Sequence, residues 1–238
     1  MTGRVAWLVI GVVATVVTLA SASTGVWLLT AYRPEYHSQF QTEAYAENAR
    51  SLSIQLDSGS ISVHQGRPGQ VRIVRQLRWT SSRPVITEHW KGQQLDVTTS
   101  CSSFQFGGTC LVNYTIAVPP GVSVNAITGN GTVSADDMSG QLDLTSYSGD
   151  VTVTGAQSAQ VIASSDSGNV QLGFAAPPSY VQATTDSGNV SIEVPPGRYS
   201  VKPTADSGNT TVTVDDDPAS PRSIKAASDS GNVTVTSG

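Results

Sequence analysis

Asp166-Ser167-Gly168-Asn169-Val170 and Asp186-Ser187-Gly188-Asn189-Val190 are the same five residues set twenty positions apart, and they decide how the chain folds. The tetrad Asp-Ser-Gly-Asn returns at Asp206 and Asp229. Weaker copies stand at Tyr147-Ser148-Gly149-Asp150, Gly129-Asn130-Gly131-Thr132 and Asp57-Ser58-Gly59. The corner glycines Gly149, Gly168, Gly188, Gly208 and Gly231 are separated by 19, 20, 20 and 23 residues. A period of about twenty falls in the range of solenoid repeats, in which one unit cannot bury its own apolar face and stacking does so.

The flanks repeat with the corner. Five positions before the aspartate slot stand Val124, Leu142, Val161, Val181, Val201 and Ile224, and three before it Ala126, Leu144, Ala163, Ala183, Pro203 and Ala226. After the slot, Val133 and Ala135, Val151 and Val153, Val170 and Leu172, Val190 and Ile192, Thr210 and Val212, Val233 and Val235 hold two further alternating positions. Period-two alternation on both sides of a Ser-Gly turn is strand, turn, strand with one buried face. An antiparallel β meander of hairpins would satisfy that parity, but its single apolar face would lack a lid. A solenoid buries the face inside its own coils, with equivalent residues about 4.8 Å apart. The expected fold is therefore all-β, a β-solenoid (β-helix-like) with about 20-residue coils, with the antiparallel β meander as the alternative.

Residues 122–238 carry the regular repeats, and residues 51–121 are looser and expected to cap one end. Val71 to Trp79 alternates as a longer strand, Lys91-Gly92-Gln93-Gln94 is a turn, and Leu95 to Thr99 and Leu111 to Val118 are further strands. Trp79, Trp90 and a disulfide would close the apolar end. At the other end Val233-Thr234-Val235-Thr236 runs uncapped to Gly238, which marks it as an edge open to another chain. Residues 33–50 are polar and expected to form a stalk.

From Val5 to Tyr32 no residue is charged, and the run is long enough to cross a bilayer, for which about 20 residues suffice. Trp7, Trp27 and Tyr32 lie towards its ends, where amphipathic rings favour the headgroup region. Residues 5–32 are expected to be one transmembrane helix, with residues 1–4 cytoplasmic and 51–238 outside the cell membrane. A leader cleaved after Ala20-Ser21-Ala22 is the alternative, although Val26-Trp27-Leu28-Leu29 continues the apolar run beyond it. Cys101 and Cys110 are the only cysteines, and their spacing around Gly107-Gly108 suits a disulfide in an oxidising compartment. The net charge is −5, from 13 Lys and Arg against 18 Asp and Glu, which excludes a nucleic-acid partner held by phosphate contacts.

The anchor, the turns Val118-Pro119-Pro120-Gly121 and Val194-Pro195-Pro196-Gly197, and the Asp-Ser-Gly-Asn-Val copies resemble a bacterial β-strand-repeat family described as adhesin-like and of unknown function. The resemblance covers roughly residues 50 to 238. It implies an envelope protein with a β-helical exterior domain, and it carries over no catalytic residue.

Stacked coils would set Asp166, Asp186, Asp206 and Asp229 in a file, with Asp57 in an equivalent slot. Such a file could recruit a hard cation such as calcium. The competing expectation is that each aspartate accepts a hydrogen bond from its own turn, with Asn169, Asn189, Asn209 and Asn232 forming an amide ladder. His37, His64 and His89 stand in no zinc-ligand spacing, and no Gly-x-Ser-x-Gly elbow is present. No catalytic residue and no cofactor is assigned. The function expected is a non-enzymatic, adhesin-like binding or structural module of a bacterial envelope, with an envelope glycan or protein as partner. Two alternatives are an accessory of an envelope signalling or stress system that meets a membrane protein through the C-terminal edge, and a glycan-cleaving enzyme built on the same scaffold.

Overall fold

The computed structural model describes residues 35–80, 82–101 and 108–238. The expected membrane segment, residues 5–32, lies outside them. Among the described residues no helix is long and apolar enough to cross a membrane. Residues Tyr36–Gly238 form one unit of strands. In chain order these are β1 (His37–Tyr45), β2 (Ser51–Ser58), β3 (Ile61–Gln65), β4 (Val71–Trp79), β5 (Val85–Lys91), β6 (Gln94–Ser100), β7 (Cys110–Val118), β8 (Ser123–Asn130), β9 (Val133–Asp136) and β10 (Leu142–Ser148). They continue as β11 (Val151–Ala156), β12 (Gln160–Ser167), β13 (Val170–Phe174), β14 (Tyr180–Ser187), β15 (Val190–Val194), β16 (Arg198–Ser207), β17 (Thr210–Val212), β18 (Asp215–Asp216), β19 (Ser223–Ser230) and β20 (Val233–Ser237).

The strand before each Ser-Gly corner joins one ten-stranded sheet and the strand after it joins another. Neighbouring coils pair in parallel and in register, as in Val161↔Val181 and Ala163↔Ala183 in the first sheet and Val170↔Val190 in the second. The two strands of a coil thus belong to different sheets, which fits stacked coils and excludes hairpins. The ladder turns the corner without a break: the N–H of Gly149, Gly168 and Gly188 donates to Ser167, Ser187 and Ser230 of the next coil, each at 3.0 Å. The inward residues of both sheets, alanines included, form one dry core.

The order of coils departs from the order of the chain at both ends. The last coil, β19–β20, lies between β14–β15 and β16–β17, pairing with both. The Val233–Thr236 edge expected to be open is therefore an interior strand, next to last in its sheet, and deleting it would cut β17 off from β15. The outer layer is β16–β17, whose inward slots hold Pro203, Ala205 and Thr210. Pro203 has no N–H to pair with a further strand, Ala205 lacks the hydroxyl with which Ser228 of the inserted coil holds a corner carbonyl, and Thr210 buries less apolar surface than Val233, so this coil loses least on the outside. At the other end β2–β3 lies between β6–β7 and β8–β9.

Beyond β6–β7 the chain runs in reverse. β5 pairs antiparallel with β6, β4 with β7, and β1 with β4. Half of the expected stalk is thus strand β1. Of its inward residues Gln39, Gln41 and Glu43 are polar and Tyr45 alone packs against the core, so its alternation left no apolar signature. Trp79 and Trp90 pack against the core at this end, as expected of a cap. Cys101 and Cys110 are bonded, with Cα atoms 6.0 Å apart, but at the corner between β6 and β7 and not across the end of the stack.

Candidate functional site

The corner column carries the repeated aspartates. Registers set the slot in the order Asp57, Gly129, Tyr147, Asp166, Asp186, Asp229, Asp206. Gly129 and Tyr147 separate Asp57 from the rest, and Asp229 precedes Asp206 because the last coil is inserted. All five carboxylates are exposed. Among the described residues no three His, Cys, Asp or Glu side chains could together hold a metal ion. The carboxylates of Asp166, Asp186, Asp206 and Asp229 accept no hydrogen bond there either, which corrects the expectation that each caps its own turn. Asp57 alone accepts one, from the N–H of Cys101 at 3.1 Å.

The neighbouring column does that work. Asp150 Oδ1 accepts the N–H of Asn169 at 2.7 Å, Asn169 Oδ1 that of Asn189 at 2.9 Å, Asn189 Oδ1 that of Asn232 at 2.9 Å, and Asn232 Oδ1 that of Asn209 at 3.0 Å. Each side chain bridges to the next coil and takes the one corner N–H that has no carbonyl partner, so the column continues the ladder where the chain turns.

A third column was legible but passed unread. Thr128, Ser146, Ser165, Thr185 and Ser228 occupy the inward slot just before the aspartate, and all are buried. Their hydroxyls donate to the carbonyls of Gly59, Gly131, Gly149, Gly168 and Gly188 at 2.7, 2.7, 2.9, 2.8 and 2.8 Å. Ser165→Ala is expected to cost about 1–2 kcal/mol, because it strips a buried carbonyl of its side-chain donor. Denaturant unfolding of residues 36–238 measures it, and an unchanged midpoint would count against the role.

The outward surface of the first sheet forms two adjoining depressions of about 410 and 580 Å³ that share Ser53 and Gln94. Register sets Ser53 beside Asp96 on one side and Asn125 on the other, and Asn125 beside Asp143. His89 of β5 lies opposite Asp96. Amide, hydroxyl and carboxylate groups thus repeat at the strand spacing across the coils. Asp96 accepts from Lys91 Nζ and Gln94 Nε2, both at 2.7 Å. The Lys91 hydrogen bond foremost, then that of Gln94, holds its carboxyl below the usual aspartate range. Such a surface offers donors and acceptors to a long polar ligand lying across the strands.

The capping end closes with a polar cluster that sequence reading missed, although Arg75 alternates with Val71, Ile73 and Leu77 on the inward face of β4. Arg75 is 8% exposed. Its two terminal nitrogens pair with Glu43 and Glu88, and its Nε donates to Gln41 Oε1 at 2.6 Å. The Tyr45 hydroxyl lies 2.5 Å from each of the two carboxylates. That contact with Tyr45 is the largest cause lowering the Glu43 pKa, whereas burial raises that of Glu88. Burial and the flanking carboxylates likewise raise Tyr45 above the ordinary phenol range. Of the histidines, His37 stacks on Trp79 with centroids 5.3 Å apart, and His64 stands beside Asp136 on the second sheet.

A family model described as Toastrack DUF4097 matches residues 42–237. Among solved structures, a protein of Clostridium sporogenes provisionally named for cell adhesion is 10% identical, with 85% of this chain and all of that one covered at a TM-score of 0.52. A provisionally named adhesin of Bacteroides fragilis is 14% identical over 84% of this chain and 97% of that one, at a TM-score of 0.47. At 10% identity the likeness to the first of these is one of fold. No curated protein matches the chain.

Proposed function

The chain belongs to the Toastrack DUF4097 family, and on that premise we propose that it is a membrane-anchored, extracytoplasmic and non-enzymatic binding module of a bacterial envelope. The β-solenoid serves as a rigid support, and the ligand lies across the polar face of the first sheet. The observation that carries this reading is the pair of adjoining depressions around Ser53 and Gln94, where side chains with free hydrogen-bonding capacity repeat along the stack. Amides, hydroxyls and carboxylates at the strand spacing offer a row of acceptors and donors that suits a polyhydroxylated chain, such as an envelope glycan, better than a compact ligand. The apolar run Val5 to Tyr32 and the disulfide support export and anchoring. The signalling-accessory alternative relied on an open C-terminal edge, and that edge is occupied.

The test is binding of residues 36–238 to isolated envelope fractions and a glycan panel, with and without calcium. Two variants accompany it: Asn125→Ala with Asp143→Ala in the depression, and Asp166→Ala with Asp186→Ala and Asp229→Ala on the corner. Saturable binding that the first variant weakens at least tenfold and the second retains is the expected result. Binding lost only by the corner variant would move the site to the aspartates, and no binding at all would sink the proposal.

A further inference from the structure

Among the described residues the two sheets end in four strands, and three of those edges are blunted. β17 has three residues. At the same end β18 straps β16, with Asp216 Oδ1 accepting the N–H of Val201 at 3.0 Å, and Pro203 has no N–H to offer. β5 follows Pro84, carries the inward Glu88 and ends in Lys91. β1 is different. It runs nine residues with no proline, lysine or arginine, and its outer face exposes Phe40 at 69%, just after Tyr36 at 75%. Its inward Glu43 is already matched by Arg75 of its own chain. A long strand edge with exposed aromatics is a template for pairing.

We propose that β1 is the edge at which a second copy of this chain docks, β1 against β1, antiparallel about a twofold axis through Phe40. The sequence of the strand is self-complementary in that register. Phe40 meets Phe40, Ser38 meets Thr42, Gln39 meets Gln41, and Tyr36 meets Ala44. His37 meets Glu43 and Tyr45 meets Glu35, so each carboxylate faces an imidazole or a phenol and no two like charges are brought opposite each other. Cross-strand aromatic pairs, amide pairs and opposite charges each favour an antiparallel match, and a twofold axis uses every one of them twice except the central pair. A shift of two residues on either strand would set Glu43 against Gln39 or against Glu35, a like charge, and move Phe40 off its own symmetry mate. The partner is thus a copy of this chain and not a strand of unrelated sequence. The inference is independent of the glycan reading, since β1 lies outside the depressions of the first sheet.

Single-cysteine variants of the full chain test it, because the native cysteines are bonded to each other. Under mild oxidation Phe40→Cys should give a covalent dimer. A mixture of Ser38→Cys and Thr42→Cys chains should crosslink to each other, whereas Ser38→Cys alone should not, because its two copies would lie about four residue rises, or ~14 Å, apart. Adding Phe40→Lys to the mixed pair places like charges face to face and should cut the crosslink at least tenfold. The exposure of Phe40 makes that change harmless to the fold, which thermal unfolding checks. No dimer from Phe40→Cys, an equal yield from Ser38→Cys alone, or insensitivity to Phe40→Lys would each overturn the proposal.

Discussion

Gly188→Ala should destabilise the folded domain by about 3–5 kcal/mol, beyond the range of ordinary surface substitutions. A Cβ built on Gly188 would lie 2.1 Å from the carbonyl oxygen and 2.6 Å from the carbonyl carbon of Gly168 in the coil below. Both are backbone atoms, so no side chain can swing away. The residue also holds φ +155°, which L side chains rarely adopt. Relief would require the coils to part at the corner, breaking the bond from Gly168 N–H to Ser187 at 3.0 Å and that from Thr185 to the Gly168 carbonyl at 2.8 Å. The comparison is Gly92→Ala, where φ is +63° and no atom lies within 4 Å of the added carbon. Only local strain of about 1–2 kcal/mol applies there. Urea unfolding of both variants decides the matter; equal losses would mean that positive φ, and not the close approach of coils, sets the requirement for glycine.

Arg75→Met should cost about 3 kcal/mol near neutral pH, because it leaves the buried Glu88 carboxylate, 12% exposed, without its cation. The pH dependence follows from the direction of the shifts. Burial raises the folded-state pKa of Glu88 above its unfolded value, so its contribution is fully present below the unfolded value and is lost as pH rises through the folded one. Glu43, with a lowered pKa, contributes in the opposite sense, above its unfolded value. Removing Arg75 weakens the Glu43 contribution and enlarges the Glu88 shift. The deficit of Arg75→Met against the native chain is therefore expected to be largest at neutral pH and to shrink on acidification through the carboxylate range. Adding Glu88→Gln should recover most of the neutral-pH loss. Denaturation curves across that range test this, and a deficit that grows on acidification would contradict it.

The inward code of each coil was readable residue by residue. Val161, Ala163, Val170 and Leu172 recur at fixed distances from Gly168, and the same distances recover their counterparts in the other coils, all but those of the outer layer fully buried. The Asn169, Asn189, Asn209 and Asn232 ladder was likewise legible, because one residue type returns at one slot. Ser165 and its equivalents were just as regular; parity placed them inward, and a hydroxyl at an inward slot is the signal of a buried hydrogen bond. β1 escaped because its inward residues, Tyr45 apart, are polar and mark no core. The Arg75 cluster escaped for a different reason: its partners come from β1 and β5, and nothing in the spacing of Glu43, Arg75 and Glu88 records their meeting.

Local spacing, then, determined the strands, their buried faces, the corners and the parallel stacking, because each depends on contacts that recur every twenty residues and leave a periodic trace. Tertiary structure alone decided which coil lies on which. All coils present nearly the same inward residues, so any two can stack, and the choice turns on small differences between Pro203, Ala205 and Thr210 in one coil and Ala226, Ser228 and Val233 in another. The coil that cannot extend the ladder at Pro203 and has no hydroxyl at Ala205 belongs on the outside, and that comparison exists only when the whole stack is assembled.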